Sequence, residues 1–131
     1  MIDNHKLSWA EAFSVGYDPI DSQHKEIIDL YNLLCEASGP EDIRLAEDIL
    51  GDYVAKHFAY EGEVMARHAY PDRAAHMADH QRLIRMYAAI KERGEDTATV
   101  MKLVVYKWFV EHVISDRMDM HLGRFLSART G

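Results

Sequence analysis

A chain of 131 residues with 48% apolar and 28% charged residues suits one soluble domain built on a single core, and its composition is not that of a disordered segment. Fifteen Lys and Arg against 22 Asp and Glu leave a formal charge of −7 without a sustained basic patch, so nucleic acid is not an expected partner. The single cysteine, Cys35, excludes an intramolecular disulfide and an iron–sulfur cluster held by this chain's thiolates alone.

No uninterrupted apolar run approaches the ~20 residues that span a bilayer. The opening residues MIDNHKLSWAEAFSVGYD lack the apolar middle of a signal peptide. The expected location is cytoplasmic, with no membrane partner.

Residues 1–18 show no periodicity, and Trp9, Phe13 and Tyr17 are expected to pack this arm onto the domain. Asp18 reads as a cap and Pro19 as a first-turn proline. Ile27, Ile28, Tyr31 and Leu34 then recur at three- and four-residue spacing, predicting a helix to about Glu36. After the SGPED break, a second helix from about Glu41 to Arg67 places Leu45, Ile49, Leu50, Tyr53, Val54, His57, Glu61 and Val64 on its inner side. Pro71 is predicted to open a third helix, which Leu83, Ile84 and Tyr87 extend to about Arg93. Beyond RGEDT, a last helix carries Val100, Leu103, Val104, Val105, Trp108 and His112. Its pattern fits either continuation through Leu122, Phe125 and Leu126 or a bend near Gly123. Four long amphipathic helices with short connections predict an all-α, up-down-up-down four-helix bundle with an N-terminal arm, one domain over 1–131.

Polar residues interrupt the core stripes of that bundle. Residues four apart on a helix differ by about 40° in direction, so His57 with Glu61, His76 with His80, and His112 with Asp116 share faces. His24 lies one turn before Ile27 and Ile28. Each neutral polar group buried without a partner would cost several kcal/mol, and an unpaired carboxylate more. Two adjacent metal ions would use five histidines and two carboxylates efficiently, a carboxylate bridging them by one oxygen to each. Imidazole with carboxylate suits iron, with manganese and zinc as competitors.

The ordered set of motifs, Trp9, VGYDPID leading into QHK at 23–25, HFAYEGEVM at 57–65, YP at 70–71, HMADH at 76–80 and WFVEH at 108–112, resembles the hemerythrin family, particularly its single-domain bacterial members, the bacteriohemerythrins. The resemblance implies two iron ions per chain, bridged by oxo or hydroxo, with dioxygen as the bound ligand. It assigns His76, His80 and His112 to one iron and His24 and His57 to the other, with Glu61 and an aspartate of the last helix bridging. Dioxygen would bind at the second iron, taking two electrons from the pair and a proton from the bridging hydroxide, and release would reverse both transfers.

One position departs from the family spacing H-x-x-x-x-D: five residues after His112 stands Arg117, which cannot ligate a metal. Asp116 is therefore the expected bridge. On a straight helix Asp119 shares the direction of His112 but lies roughly 10 Å farther along. Trp108, Phe109 and Phe58 are expected to wall the oxygen pocket, while Tyr53 and Tyr87 read as packing. His68 is roughly 16 Å beyond His57 on a straight helix, and neither His5 nor His121 has a partner pattern. The methionines read as fillers and Cys35 as buried and inert.

The leading reading is reversible oxygen binding for storage or delivery by a monomer, not an enzyme, with an unidentified oxygen-accepting protein as a further partner. The alternatives are an oxygen or redox sensor, a di-iron oxidoreductase acting on peroxide or nitrogen oxides, and a metal-free interaction module. No Glu has a His three residues later, which argues against a ferritin-like di-iron enzyme.

Overall fold

The computed structural model describes residues 6–92, 97–115 and 117–130. Among these, a 3₁₀ turn at Glu11–Phe13 precedes α1 (Asp18–Glu36), α2 (Pro40–Arg67), α3 (Arg73–Glu92), α4 (Thr97–Lys107), which runs on as a π-helical stretch over Trp108–Ser115, and α5 (Met118–Thr130). No strand occurs among the described residues. Helices α1 to α4 pack as a bundle in which α1 meets α2 and α4, and α3 meets α2 and α4. The all-α bundle with its arm is as expected. No helix of the described residues is long and apolar enough to cross a membrane.

Local chemistry explains most of the boundaries. Tyr17, rather than Asp18, takes the extended cap position of α1, which places Asp18 inside the first turn with Pro19. There its charge still favours the exposed N–H groups of the helix start. Gly39, at φ +86, turns the chain into Pro40 at the start of α2. At the other end of α2, Ala69 N–H donates to Ala66 O and Tyr70 N–H to Met65 O, a Schellman closure. That closure uses the Tyr70 amide, so Pro71 falls in the following turn instead of opening α3, which begins at Arg73.

Two apolar clusters fill the bundle. The larger joins Ile27, Tyr31, Leu50, Leu83, Trp108 and Phe109 with neighbouring side chains. The smaller joins Val15, Ile20, Val64, Met65, Leu122 and Leu126 at the end that α5 closes. Cys35 is buried in the larger cluster. Four residues expected inside, Leu45, Ile49, Ile84 and Leu103, are exposed. On α2 the buried stripe runs through Ala46 and Leu50, and an apolar run wider than the covered face leaves its margins in solvent.

The arm packs as its aromatic residues predict. Phe13 meets Phe109 edge-on at 5.2 Å and Trp9 at 6.0 Å. Asp21 of α1 accepts hydrogen bonds from Ser14 Oγ and Val15 N–H, at 2.6 and 2.8 Å. The arm then presses on α5 so closely that a Cβ at Gly123 would lie 2.1 Å from the Val15 carbonyl oxygen. Neither open expectation for the last helix holds. The chain breaks before Gly123, at Arg117, whose φ is +55.

Candidate metal centre

The polar side chains that break the core stripes lie between the two apolar clusters. His24 falls between Ile20 and Ile27 on α1, and His57 and Glu61 between Leu50 and Val64 on α2. His76 and His80 come from α3 and His112 from the π-helical stretch. All six are essentially inaccessible to solvent, as is Asp119 in the first turn of α5.

Asp116 lies outside the described residues. Asp119, set aside on the assumption of a straight helix, stands in the cluster, its Oδ1 2.7 Å from His112 Nε2. The straight rod fails twice between these residues. The backbone is π-helical through Ser115, and it turns through the left-handed region at Arg117 before α5 starts at Met118. No apolar periodicity announces such a turn. The sequence signal was only that Asp119 shares a direction with His112.

The donor atoms form two groups, each confined within 4.8 Å. One comprises Glu61, His76, His80, His112 and Asp119, the other His24, His57, Glu61 and Asp119. Donors about 2.0–2.2 Å from a shared first-row ion such as zinc lie up to about 4.4 Å apart, so the 4.8 Å limit on each group is close to the size of one coordination sphere. The two carboxylates belong to both groups and divide their oxygens between them. Glu61 Oε1 is 3.0 Å from His76 Nε2 and 3.1 Å from His80 Nε2, while Oε2 is 3.2 Å from His57 Nε2. Asp119 Oδ1 is 2.9 Å from His76 Nε2, while Oδ2 is 2.8 Å from His24 Nε2.

These contacts are not all hydrogen bonds. Buried His57 Nε2, His80 Nε2 and Glu61 Oε2 have no hydrogen-bond partner despite their short separations. Groups that are close yet misaligned for hydrogen bonding, and fully buried, fit donors aimed at a common ion. His112 Nε2 also sits 3.2 Å from His76 Nε2, a close approach of two imidazoles that a shared cation would reconcile.

The outer ring nitrogens explain how two imidazoles are held. His57 Nδ1 donates to Gln23 Oε1 at 2.7 Å, and His112 Nδ1 to Asp79 Oδ2 at 2.5 Å. In the neutral imidazole such bonds keep the proton on Nδ1 and leave Nε2 available to a metal. The motifs QHK and HMADH contain both partners, but spacing along one helix does not mark them, because each contacts a histidine on another element.

Burial would raise the Asp119 carboxyl, but His112, His24 and His76 hold it well below the usual carboxylate range. Burial and the Asp119 charge likewise push Glu61 up, and His57 and His76 pull it below its ordinary value. Burial lowers the His76 imidazole, yet Asp119 and Glu61 carry it up to about 9. His80 goes the other way, because burial outweighs the attraction of Glu61.

Aromatic rings surround the cluster. Phe58 stacks on His80 at 3.9 Å, and Trp108 lies 5.6 Å from His24 and 5.8 Å from His57. Phe109 is 6.2 Å from His24. Tyr87 points its hydroxyl elsewhere, donating to Glu47 at 2.9 Å. His68 caps the end of α2 and His121 is exposed, whereas His5 lies outside the described residues.

The family model described as the hemerythrin HHE cation binding domain matches residues 15–121, a span that takes in all seven of these side chains. The chain belongs to the hemerythrin family. Among similar proteins of this family, a bacteriohemerythrin of Stenotrophomonas maltophilia is 30% identical, over 91% of this chain and 86% of its own length. A bacteriohemerythrin of Pseudomonas paraeruginosa is 34% identical, over 84% and 76%. That of Methylococcus capsulatus is 31% identical, over 93% and 98%. This hemerythrin-family chain therefore aligns with most of the length of each of these relatives.

Proposed function

We propose that the protein binds dioxygen reversibly at a non-haem di-iron centre, for storage or delivery rather than catalysis. The observation that carries the reading is the unequal division of donors around two shared carboxylates. One group offers three imidazoles and two carboxylate oxygens, the other two imidazoles and two carboxylate oxygens. The second group is one donor poorer, which leaves room there for a small ligand.

When bound, a pair of irons joined by an oxo or hydroxo bridge supplies the two electrons that dioxygen takes up and returns. The rest of the work belongs to the chain. His76, His80 and His112 would fill one side of the pair and His24 and His57 would sparsely fill the other, with Glu61 and Asp119 spanning both. Gln23 and Asp79 hold two of the rings in register. Phe58, Trp108 and Phe109 exclude water, which disfavours loss of the reduced state. All seven donors come from one chain, so the centre needs no second subunit; in this reading the protein works as a monomer, with 1–131 as one domain, and passes oxygen to an accepting protein.

Manganese and zinc favour similar donors, so the test begins with loading. Anaerobic reconstitution with ferrous iron should give two irons per chain, and oxygen should then produce a visible absorption band that disappears on deoxygenation. Uptake of one ion, or a band that bleaches while an added reductant is consumed, would reject the carrier reading.

A further inference from the structure

A cavity of about 230 Å³ opens between α2, α3 and α4, and none of its lining residues belongs to the arm or α5. Its outer lining includes Ala55 and Ile84, both exposed, and half-buried Val104. Its inner lining is buried and includes Leu83, Val105, Phe58 and Trp108. The lining is almost wholly apolar, and the Tyr87 hydroxyl at its edge is already bonded to Glu47.

The inner end has a particular address. Phe58 and Trp108, with ring centroids 5.9 Å apart, form the inner lining and also touch the metal cluster. Phe58 stacks on His80 of the richer group at 3.9 Å and lies 5.9 Å from His57, while Trp108 meets both His24 and His57. Those two histidines form the donor-poor group, where a small ligand has room.

We infer that this cavity is the port through which dioxygen reaches the donor-poor side of the centre, with the Phe58 and Trp108 rings as its inner gate. The inference rests on the oxygen-binding reading above. Apolar cavities of about 150 Å³ stay dry and take up apolar guests such as xenon, and dioxygen is a small apolar guest of the same kind. Water gains little from walls so poor in hydrogen-bond partners, so the passage favours the gas over the solvent. The gate requires displacement of two buried rings, a barrier that delays passage in both directions equally.

A port alters the barrier between free and bound oxygen but neither end state. Val104→Trp should fill the passage from α4, and Ala55→Trp, at an exposed position that cannot disrupt the core, should cover its mouth from α2. In the iron-loaded full chain, flash photolysis and stopped-flow should show association and dissociation rates falling together by about tenfold, equivalent to about 1.4 kcal/mol on the barrier. The equilibrium oxygen affinity should stay unchanged. Independently of oxygenation, xenon pressurisation should shift the methyl resonances of Val54, Val104 and Val105 in the wild type and do so less in Val104→Trp. If wild type oxygenates reversibly but neither tryptophan variant changes the rates, or if xenon leaves those methyls unmoved, the port is refuted and the carrier reading stands. If wild type fails to oxygenate reversibly, both fall.

Discussion

Replacing Asp119 with Ala should cost the protein both metal ions. Asp119 gives one oxygen to each donor group, so its loss reduces one set from five donors to four and the other from four to three. Sites of this kind bind ions with on the order of 10–16 kcal/mol in structural zinc peptides. Divided evenly over five or four donors, that is about 2–4 kcal/mol per ion, or roughly 30- to 1,000-fold in affinity for each. The assay is iron content after dialysis against chelators of graded strength, with circular dichroism as the control for folding. Asp116→Ala, by contrast, should leave iron content and the visible spectrum intact. An Asp119→Ala protein that keeps two irons at unchanged affinity, while Asp116→Ala loses them, would refute the division of oxygens described above.

Gln23→Ala and Asp79→Ala should each weaken metal retention by about 10- to 100-fold, because His57 and His112 lose the acceptors that fix their ring nitrogens; unchanged chelator curves for both would make these contacts incidental. Metal loading should release protons: His76, which burial lowers but Asp119 and Glu61 carry up to about 9, holds a proton in the metal-free protein below that pH. Apparent affinity should therefore rise with pH until about 9 and then level off, and calorimetry in buffers of different ionisation enthalpy at pH 7 should detect the released proton. Ala69→Gly should stabilise the fold by about 0.5–1 kcal/mol in urea titrations, since Ala69 sits at φ +52 in a Schellman closure that glycine accepts without strain; a destabilised variant would contradict this. Gly123→Ala should destabilise by at least about 1–3 kcal/mol, the ordinary penalty of overpacking, because its Cβ would collide with the Val15 carbonyl; an unchanged melting temperature would mean that the arm yields freely.

What the sequence made legible follows from regularity. His24, His57, Glu61, His76 and His80 lie on uninterrupted α-helix, where three- and four-residue spacing converts directly into a shared face. Their convergence could be anticipated because each breaks an apolar stripe. Asp119 could not be placed that way, since its position depends on a π-helical stretch and a left-handed residue that leave no mark in hydrophobic periodicity. Leu45 and Leu103 failed for a different reason. Periodicity shows which residues are apolar but not how wide a face the neighbouring helices cover.

The irregular turn also bears on how the centre is built. A left-handed non-glycine residue such as Arg117 is costly by about 1–3 kcal/mol and persists only where the surroundings over-determine it. Here the surroundings are apolar: Leu122 and Leu126 of α5 are completely buried against Val15, Ile20 and Val64, and Gly123 admits the arm at contact distance. Docking of α5 thus fixes Asp119 through packing that involves no metal donor. In that position Asp119 meets His24, His76 and His112. The arm and α5, which supply none of the donor imidazoles, therefore belong to the machinery of the centre: they convert a break in the last helix into the second carboxylate that makes two adjacent donor groups out of one.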